Sequence, residues 1–335
     1  MIPALVVASV LARAEKLIAL QKGKDARDIA ALDHRAEALY SEIKPLGWKA
    51  APALGDAAEQ LQRPLKLRLL ATSFLGLTAD PAALEPLEKI LLDPDQDAGV
   101  RSMAAQSLPG IRASDASVSA VLCDAIAQKD LPPVVARETL LPLTRLGCRD
   151  HEALARWARA GGPRPTGDSL STTLLALQAL GRSRGVDSGR ELLALTGYFP
   201  ALGAARAGAI AALDARREEL AAWLAPETLP VVSEALRSES DRPETMLALV
   251  RVARALGPDA APALDRLASH PDAEVLAEAA EALVAFKRVE VIPRLEAVVA
   301  GALNDPRFSP KEGRPDPAAL LARVEKALDA LKRAR

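Results

Sequence analysis

Apolar residues recur along this chain at the three- and four-residue spacing of amphipathic helices, most clearly between Pro81 and Ile111. A first helix carries its apolar stripe at Leu84, Leu87, Ile90 and Leu91. Asp93-Pro94-Asp95 ends that helix, because proline supplies no N–H and biases the preceding residue away from the helical conformation. A second helix then places apolar and small residues on one side at Val100, Ala104, Ala105, Leu108 and Ile111. One such hairpin cannot bury both stripes, so the pattern predicts neighbouring hairpins of the same kind.

The same order of features returns between Ala261 and Phe286. His270-Pro271-Asp272 stands where Asp93-Pro94-Asp95 stood, and the matching apolar and small positions are Val275, Ala279, Ala280 and Leu283. The two prolines are 177 residues apart, which is five periods of about 35 residues, within the range of helical repeat arrays.

Weaker copies of the hairpin fill the rest of the chain. Turn residues divide them into predicted pairs: Pro3–Gln21 with Ala26–Ile43, Trp48–Leu61 with Pro64–Leu77, Ala116–Gln128 with Pro133–Leu146, Asp150–Ala160 with Ser169–Leu180, Val186–Thr196 with Ala201–Arg217, Thr228–Leu236 with Pro243–Leu256, and Val291–Leu303 with Ala318–Ala330. Gly147, Gly181 and Gly257 are expected to end helices, and Glu218–Leu224 to add an extra turn. The loop 304–317 is unusually long for such an array, and its Phe308 either anchors a partner or, as we favour, folds back over the last groove.

Composition agrees with an almost wholly helical fold. Aromatic residues make up 3% of the 335 residues, and Ala and Leu far outnumber the β-branched residues that strands favour. The formal net charge of -1 gives no overall attraction to nucleic acid or to anionic lipid.

The proline-bearing first helix, the Asp-Pro-Asp turn and the Val-Arg-x-x-Ala-Ala-x-x-Leu run of residues 100–108 resemble the HEAT-repeat family. The match is close over Pro81–Ile111 and Ala261–Phe286, fair over Ala38–Leu77 and degenerate over Ala116–Leu256. The resemblance implies an all-α, right-handed α-solenoid of about nine antiparallel helix pairs, elongated and curved. It also implies an inter-repeat ladder of Asp95 or Asp97 with Arg101, which Leu276 interrupts in the later copy. We therefore expect residues 1–335 to form a single array that ends in a capping helix over residues 318–335.

The first residues allow two interpretations. Ile2–Leu11 is a short apolar run, and Ala12-Arg13-Ala14 resembles a signal-peptidase site, but no Lys or Arg precedes Arg13. Pro3-Ala4-Leu5 also echoes Pro262-Ala263-Leu264. Residues 1–24 are thus the first helix of the array, which predicts a cytoplasmic protein, or a signal-peptide remnant, which predicts export. The run is too short to span a bilayer.

Two cysteines, Cys123 and Cys148, do not make a disulfide scaffold. We expect both to be free and buried, and a bridge only if the compartment is oxidising and the two Cβ vectors converge.

The sequence offers no catalytic or metal-binding cluster. His34, His151 and His270 lie in different predicted repeats, and neither H-E-x-x-H nor C-x-x-C occurs. Gly162–Gly167 has the spacing of a phosphate-binding loop, but Asp168 stands in place of the lysine, and Pro163 and Pro165 remove backbone donors. We expect no metal site and no cofactor.

Arginines gather on the second helices of the divergent middle, which would line the concave face of a solenoid. The candidate binding residues are Arg137, Arg145, Arg182, Arg206, Arg251 and Arg254. Arg184, Arg216 and Arg217 lie on the same helices, whereas Glu274, Glu278 and Glu281 make the eighth pair acidic. The alternative is that these arginines are only solvated or paired with neighbouring acids.

These features favour a non-enzymatic scaffold that binds a protein partner along the concave face, with no nucleic acid and no membrane span. The alternative is a HEAT-like enzyme that acts on nucleic acid or resembles bilin lyases. A base-handling cleft would need stacked aromatic side chains, and Trp157, Tyr198 and Trp223 fall on or near first helices, away from the expected groove.

Overall fold

The computed structural model describes residues 2–239, 242–309 and 315–335, and in these ranges the chain contains helices and no strand. The all-α prediction is therefore confirmed. The α-helices, numbered in chain order, are α1 Ile2–Ala19, α2 Ala26–Ala38, α3 Tyr40–Ile43, α4 Ala51–Glu59, α5 Leu65–Leu77, α6 Leu84–Leu92, α7 Ala98–Ser107, α8 Asp115–Ala127, α9 Pro133–Leu146, α10 His151–Arg159, α11 Gly167–Arg182, α12 Val186–Tyr198, α13 Ala204–Ala215, α14 Arg217–Ser238, α15 Pro243–Leu256, α16 Ala261–Leu264, α17 Ala273–Ala285, α18 Ile292–Gly301 and α19 Pro317–Ala334.

The helices form two compact units, Met1–Leu154 and Ala155–Arg335. In the first unit the second helices of successive pairs, α5, α7 and α9, pack side by side, and so do the first helices α4, α6 and α8. In the second unit α11, α13, α15, α17 and α19 form a corresponding row. Within each unit the fold is thus the stack of helix pairs that the repeat pattern predicted.

The pair formed by α6 and α7 shows why the best-kept repeat is so regular. Most positions of its stripes are buried completely, with 0% exposure at Leu87, Ile90, Leu91, Val100, Ala104, Ala105 and Leu108, whereas Leu84 is half-buried. Asp97 caps α7 by accepting a 2.8 Å hydrogen bond from the backbone N–H of Gly99. The regular sequence pattern of α6 and α7 therefore reflects packing against the neighbouring helix pairs.

One predicted boundary is corrected and one extra element is confirmed. Gly181 does not end its helix, because α11 continues to Arg182. The predicted extra turn or short helix Glu218–Leu224 is present, because α14 consists of two helical segments that meet at a kink at Leu224, and the predicted helix Thr228–Leu236 lies in the second segment. Pro226, two residues after Leu224, lacks the N–H that a straight helix would use.

Both ends of the described chain are packed. Val7, Val10 and Ala14 of α1 are fully buried, and no described helix combines the length and apolar character needed to cross a membrane. At the other end, α19 packs on α17, where Arg323 forms ion pairs with Glu278 (2.9 Å) and Glu281 (2.7 Å). Phe308 is half-buried in the 3-10 turn Pro306–Phe308, and residues 310–314 of the predicted long loop lie outside the described residues.

A ladder of buried arginines and buried or half-buried glutamines joins successive pairs of the first unit. Arg68 of α5 donates to Gln96 Oε1 (2.8 Å), and Gln96 donates to the backbone carbonyl of Glu59 (2.9 Å). Arg101 of α7 repeats this one period later, where it donates to Gln128, and Gln128 donates to the carbonyl of Leu92 (2.8 Å).

This ladder replaces the Asp–Arg ladder that the family resemblance implied. Asp97 is used as a helix cap, whereas Arg101 bonds to Gln128 and, over 2.9 Å, to the carbonyl of Leu91. Burial lowers the pKa of the Arg101 guanidinium. Because a desolvated guanidinium needs partners for its N–H groups, the Gln and the helix-end carbonyls fix how one pair sits on the next.

The second unit contains a charged version of the same contact. Arg206 of α13 is 5% exposed, forms ion pairs with Glu234 and Glu239, and donates to the carbonyl of Phe199. Glu239, itself fully buried, accepts a 3.0 Å hydrogen bond from the N–H of Leu202. A glutamate thus takes the place of the glutamine.

The two cysteines are joined rather than free. Cys123 of α8 and Cys148, just after α9, form a disulfide with their Cα atoms 5.6 Å apart. Both side chains are buried, as predicted, but the expectation of free thiols is wrong, because the fourth helix pair brings the two Cβ atoms together.

Reduction of this disulfide should lower the free energy of unfolding by about 3 kcal/mol, because the bond closes a loop of 25 residues in the unfolded chain. Urea unfolding with and without dithiothreitol measures the loss. The matched control is the Cys123→Ala/Cys148→Ala double variant, whose free energy of unfolding should not change when the reductant is added. Two titratable thiols in the oxidised, unfolded wild type would contradict the bond.

Arg101→Met should destabilise the protein by about 2–4 kcal/mol, because it removes the guanidinium hydrogen bonds to the carbonyl of Leu91 and to Gln128 that join α6, α7 and α8. Arg112→Met is the control, since Arg112 is exposed, and a change within about 0.5 kcal/mol is expected there. Equal denaturation midpoints for the two variants would show that the ladder contributes nothing.

Candidate functional site

A pocket lined by four arginines lies in the second unit, where α11 and α13 end and α14 begins. Its volume is about 260 Å³. The lining residues are Gly181, Arg182, Ser183, Arg184, Ala215, Arg216, Arg217, Glu218 and Glu219. We call it the arginine pocket.

Close packing of two second helices creates the arginine pocket. A Cβ atom at Gly181 would lie 3.1 Å from Cβ and 3.2 Å from Cα of Ala212, so the absent side chain lets α11 and α13 approach each other. Their carboxyl ends then lie together, and each end carries arginines, Arg182 and Arg184 on one and Arg216 and Arg217 on the next. Cations are favoured at helix carboxyl ends by the backbone dipoles.

Arg216 forms a fixed wall of the pocket. Its guanidinium is 3% exposed and donates to Ser188 Oγ (2.8 Å), to the carbonyl of Gly185 (2.7 Å) and to Glu219 Oε2 (3.0 Å). Glu219 in turn accepts a 2.9 Å hydrogen bond from the N–H of Gly185. Arg216 is therefore structural, since its hydrogen-bonding groups are used within the fold.

The Glu219 carboxylate is held in its charged form by these partners. Partial burial alone would raise its pKa, but the hydrogen bonds from Arg216 and from the N–H of Gly185 outweigh burial and lower the pKa below its usual value. The negative charge on Glu219 thus persists at neutral pH and neutralises Arg216.

Arg217 belongs to a second ion-pair group. It donates to Asp214 Oδ1 (3.2 Å), and Arg251 donates to the other oxygen of the same carboxylate (2.6 Å). The bond to Asp214 raises the pKa of Arg251. Arg217 also lies 3.4 Å from Glu218, so its charge is partly balanced.

Arg182 and Arg184 differ from the other two arginines of the pocket. Both are exposed, and neither has a hydrogen bond or ion pair from its side chain to any residue that the structure describes. With four arginines against Glu218 and Glu219, the lining carries a formal excess of two positive charges. The pocket therefore has the charge of an anion site and two guanidinium groups available to bind.

Of the six sequence candidates, only Arg182 lines the arginine pocket. Four others are engaged in ion pairs: Arg137 with Glu138 (3.2 Å), Arg206 with Glu234 and Glu239, Arg251 with Asp214, and Arg254 with Glu278 (3.9 Å). Arg145 is exposed in the first unit and lines a separate apolar depression with Leu141 and Pro142. Arg206, expected on the surface, is in the core because it belongs to the ladder.

The sequence contained a signal for the arginine pocket that the choice of six candidates did not use. Arg182 and Arg216 are 34 positions apart, and Arg184 and Arg217 are 33 positions apart, which is about one repeat. Residues one period apart occupy equivalent places on adjacent pairs, so this spacing predicts that the four side chains lie close together.

Other chemistry is sparse in the described part of the chain. Among residues 2–239, 242–309 and 315–335, no three His, Cys, Asp or Glu side chains converge in a way that could hold a metal ion. Trp223 is 58% exposed on α14, and Tyr198 packs edge-on against Phe199 at the end of α12.

No protein-family model and no curated protein matches the sequence. Among solved structures, the chain is similar to human deoxyhypusine hydroxylase in complex with glycerol, with 18% identity over 86% of this chain and 98% of that chain and a TM-score of 0.32. Similarity at this level carries no argument about a reaction or a substrate.

The comparison does contradict one prediction. The non-enzymatic scaffold expected from the sequence is contradicted by this comparison, because the similar structure is an enzyme, and it is not carried further. The inference had rested on the missing catalytic motif. In a repeat fold, side chains that converge come from positions about one period apart, so a short motif is not needed to form a site.

Glu219→Gln should destabilise the protein by about 1–2 kcal/mol at pH 7, because a charged partner of buried Arg216 is lost. Since the folded-state pKa of Glu219 is lowered, its contribution is present above the unfolded-state pKa and disappears as the pH falls through the folded-state pKa. The difference from wild type should therefore shrink as the pH is lowered below 4, measured by urea unfolding. Glu218→Gln, at a side chain 82% exposed, is the control and should show no such pH-dependent difference.

Proposed function

We propose that this protein binds a ligand bearing a phosphate monoester in the arginine pocket. The observation that carries the proposal is the pair Arg182 and Arg184, exposed and without side-chain partners in the described chain, inside a pocket with two excess positive charges. A phosphate monoester carries about -1.5 to -2 charges at pH 7, which complements this excess.

The state of the four arginines supports the proposal. Arg216 is held by Ser188, Gly185 and Glu219, so this wall of the pocket is formed before a ligand arrives and needs no ordering. Arg182 and Arg184 supply planar guanidinium groups that bind phosphate oxygens in pairs, a geometry that lysine does not provide. The protein partner expected from the sequence remains a prediction, on which this proposal does not depend.

We further propose that the chain is a HEAT-like repeat protein and that its two units form one array. The period of about 35 residues and the recurring buried arginines at positions 68, 101 and 206 support this. The capping role of α19 agrees with its basic, polar end at Lys332 and Arg333.

The Cys123–Cys148 disulfide bears on location. Disulfides persist mainly in oxidising compartments, so the bond supports the exported alternative that the sequence left open. A cytoplasmic location remains the competing prediction.

The test is calorimetric titration with phenyl phosphate and with benzoate at low ionic strength. Wild type should bind phenyl phosphate more tightly than benzoate, because only the former is a dianion. Arg182→Ala/Arg184→Ala should weaken phenyl phosphate binding at least about ten-fold, the equivalent of one charge-assisted hydrogen bond.

Arg164→Ala is the matched control for a lost positive charge, because Arg164 is exposed in the same unit and does not line the pocket. It should leave the affinity unchanged. Equal binding by the double variant and wild type, or no binding of phenyl phosphate at all, would refute the proposal.

A further inference from the structure

A second cavity, of about 440 Å³, lies in the first unit between α1, α2, α5 and α7. It is distinct from the arginine pocket in position and in chemistry, because its exposed lining is mostly apolar. The apolar side chains that bound it are Ile18, Leu69, Leu70, Phe74, Leu77 and Met103. Its size falls in the range of small-molecule sites.

Helix α5 is apolar on two faces, and only one of them is used by the core. Leu67, Ala71 and Leu75 are buried completely, as a core-facing stripe should be. The face toward the cavity carries Leu69, Leu70 and Leu77, and Leu77 is 54% exposed. An amphipathic surface helix would carry polar residues here, so this face is suited to an apolar ligand.

An aromatic pair fixes the shape of the cavity. The rings of Tyr40 and Phe74 lie 5.3 Å apart, and the Tyr40 hydroxyl donates to the backbone carbonyl of Leu77. The hydroxyl is therefore occupied, and burial raises the pKa of Tyr40. What remains for a ligand is the exposed part of the Tyr40 ring, since Phe74 is buried behind it; aromatic faces attract cations as well as apolar groups.

The charged residues at the rim of the cavity determine which charge a ligand should carry. Lys66 Nζ lies 3.6 Å from Asp33 Oδ2 and donates to Gln21, and Gln21 donates to Asp33. Lysine and aspartate thus neutralise each other. Glu37, one helical turn after Asp33, has His34 at 3.6 Å but no Lys or Arg within ion-pair distance in the described chain.

We infer that this cavity binds an organic ammonium ion with an apolar, preferably aromatic, body. The body would fill the space against Tyr40, Leu70 and Leu77, and the ammonium group would lie toward Glu37. An apolar ligand with a carboxylate would be repelled by Glu37 and Asp33, because Lys66 at the rim is already paired with Asp33. This site does not depend on the proposed phosphate site, which is in the other unit.

Three probes with the same ring test the inference: 2-(1-naphthyl)ethylamine, 1-naphthaleneacetate and 1-naphthaleneethanol, each titrated into the full-length protein and followed by naphthalene fluorescence. The amine should bind about ten-fold more tightly than the carboxylate and more tightly than the alcohol. Glu37→Gln should weaken the amine about three-fold, the effect of one exposed ion pair, and leave the alcohol unchanged. Leu77→Lys, a change at an exposed position, should abolish binding of the amine.

Glu152→Gln is the control for a lost carboxylate, since Glu152 is exposed in the same unit and is not part of the cavity. It should bind all three probes as wild type does. Circular dichroism of each variant confirms that the fold is retained. The inference is overturned if no probe binds, if the carboxylate or the alcohol binds as tightly as the amine, or if Leu77→Lys binds the amine normally.

Discussion

A guanidinium buried at the turn between helices is the contact on which each stack depends. Arg101 reaches back to the carboxyl end of α6 and forward to Gln128, so one side chain spans three successive elements. Apolar stripes alone would tolerate sliding of one pair on the next, because hydrophobic contact is not directional. Hydrogen bonds from a desolvated guanidinium would break if one pair slid on the next, so they fix a single position of each pair on its neighbour.

The arginine pocket is a local variation on that arrangement. Arg216 again bonds to a helix-turn carbonyl, that of Gly185, but its acidic partner Glu219 comes from the start of α14 instead of the next turn. The helix ends stay close because Gly181 faces Ala212. Arg216 and Arg182 lie at the carboxyl ends of neighbouring second helices and differ in their partners, whereas the ladder arginines Arg101 and Arg206 lie in the first turn of such helices.

Hydrophobic periodicity predicted the helix pairs well, since burial of one face leaves a direct trace in the order of residues. It could not show polar contacts such as Arg68–Gln96, because Gln96 resembles any surface glutamine of a turn and its partner is 28 positions away. Gly181 was misjudged for a related reason: glycine at a helix end and glycine at a close helix contact look alike until Ala212 is placed beside it. Arg206 is a further case: in the sequence it resembles a surface arginine, but its partners Glu234 and Glu239 hold it in the core. The apolar cavity had no single motif, and only the surplus of leucine on α5 hinted at it.

The disulfide has a consequence for how the fourth helix pair opens. Stacked repeats open locally, in units of about one helix pair. Cys123 and Cys148 join α8 to the end of α9. These two helices cannot separate from each other while the bond is intact, so α8 and α9 must leave the stack together. Oxidation thereby makes the fourth pair a single unit of opening.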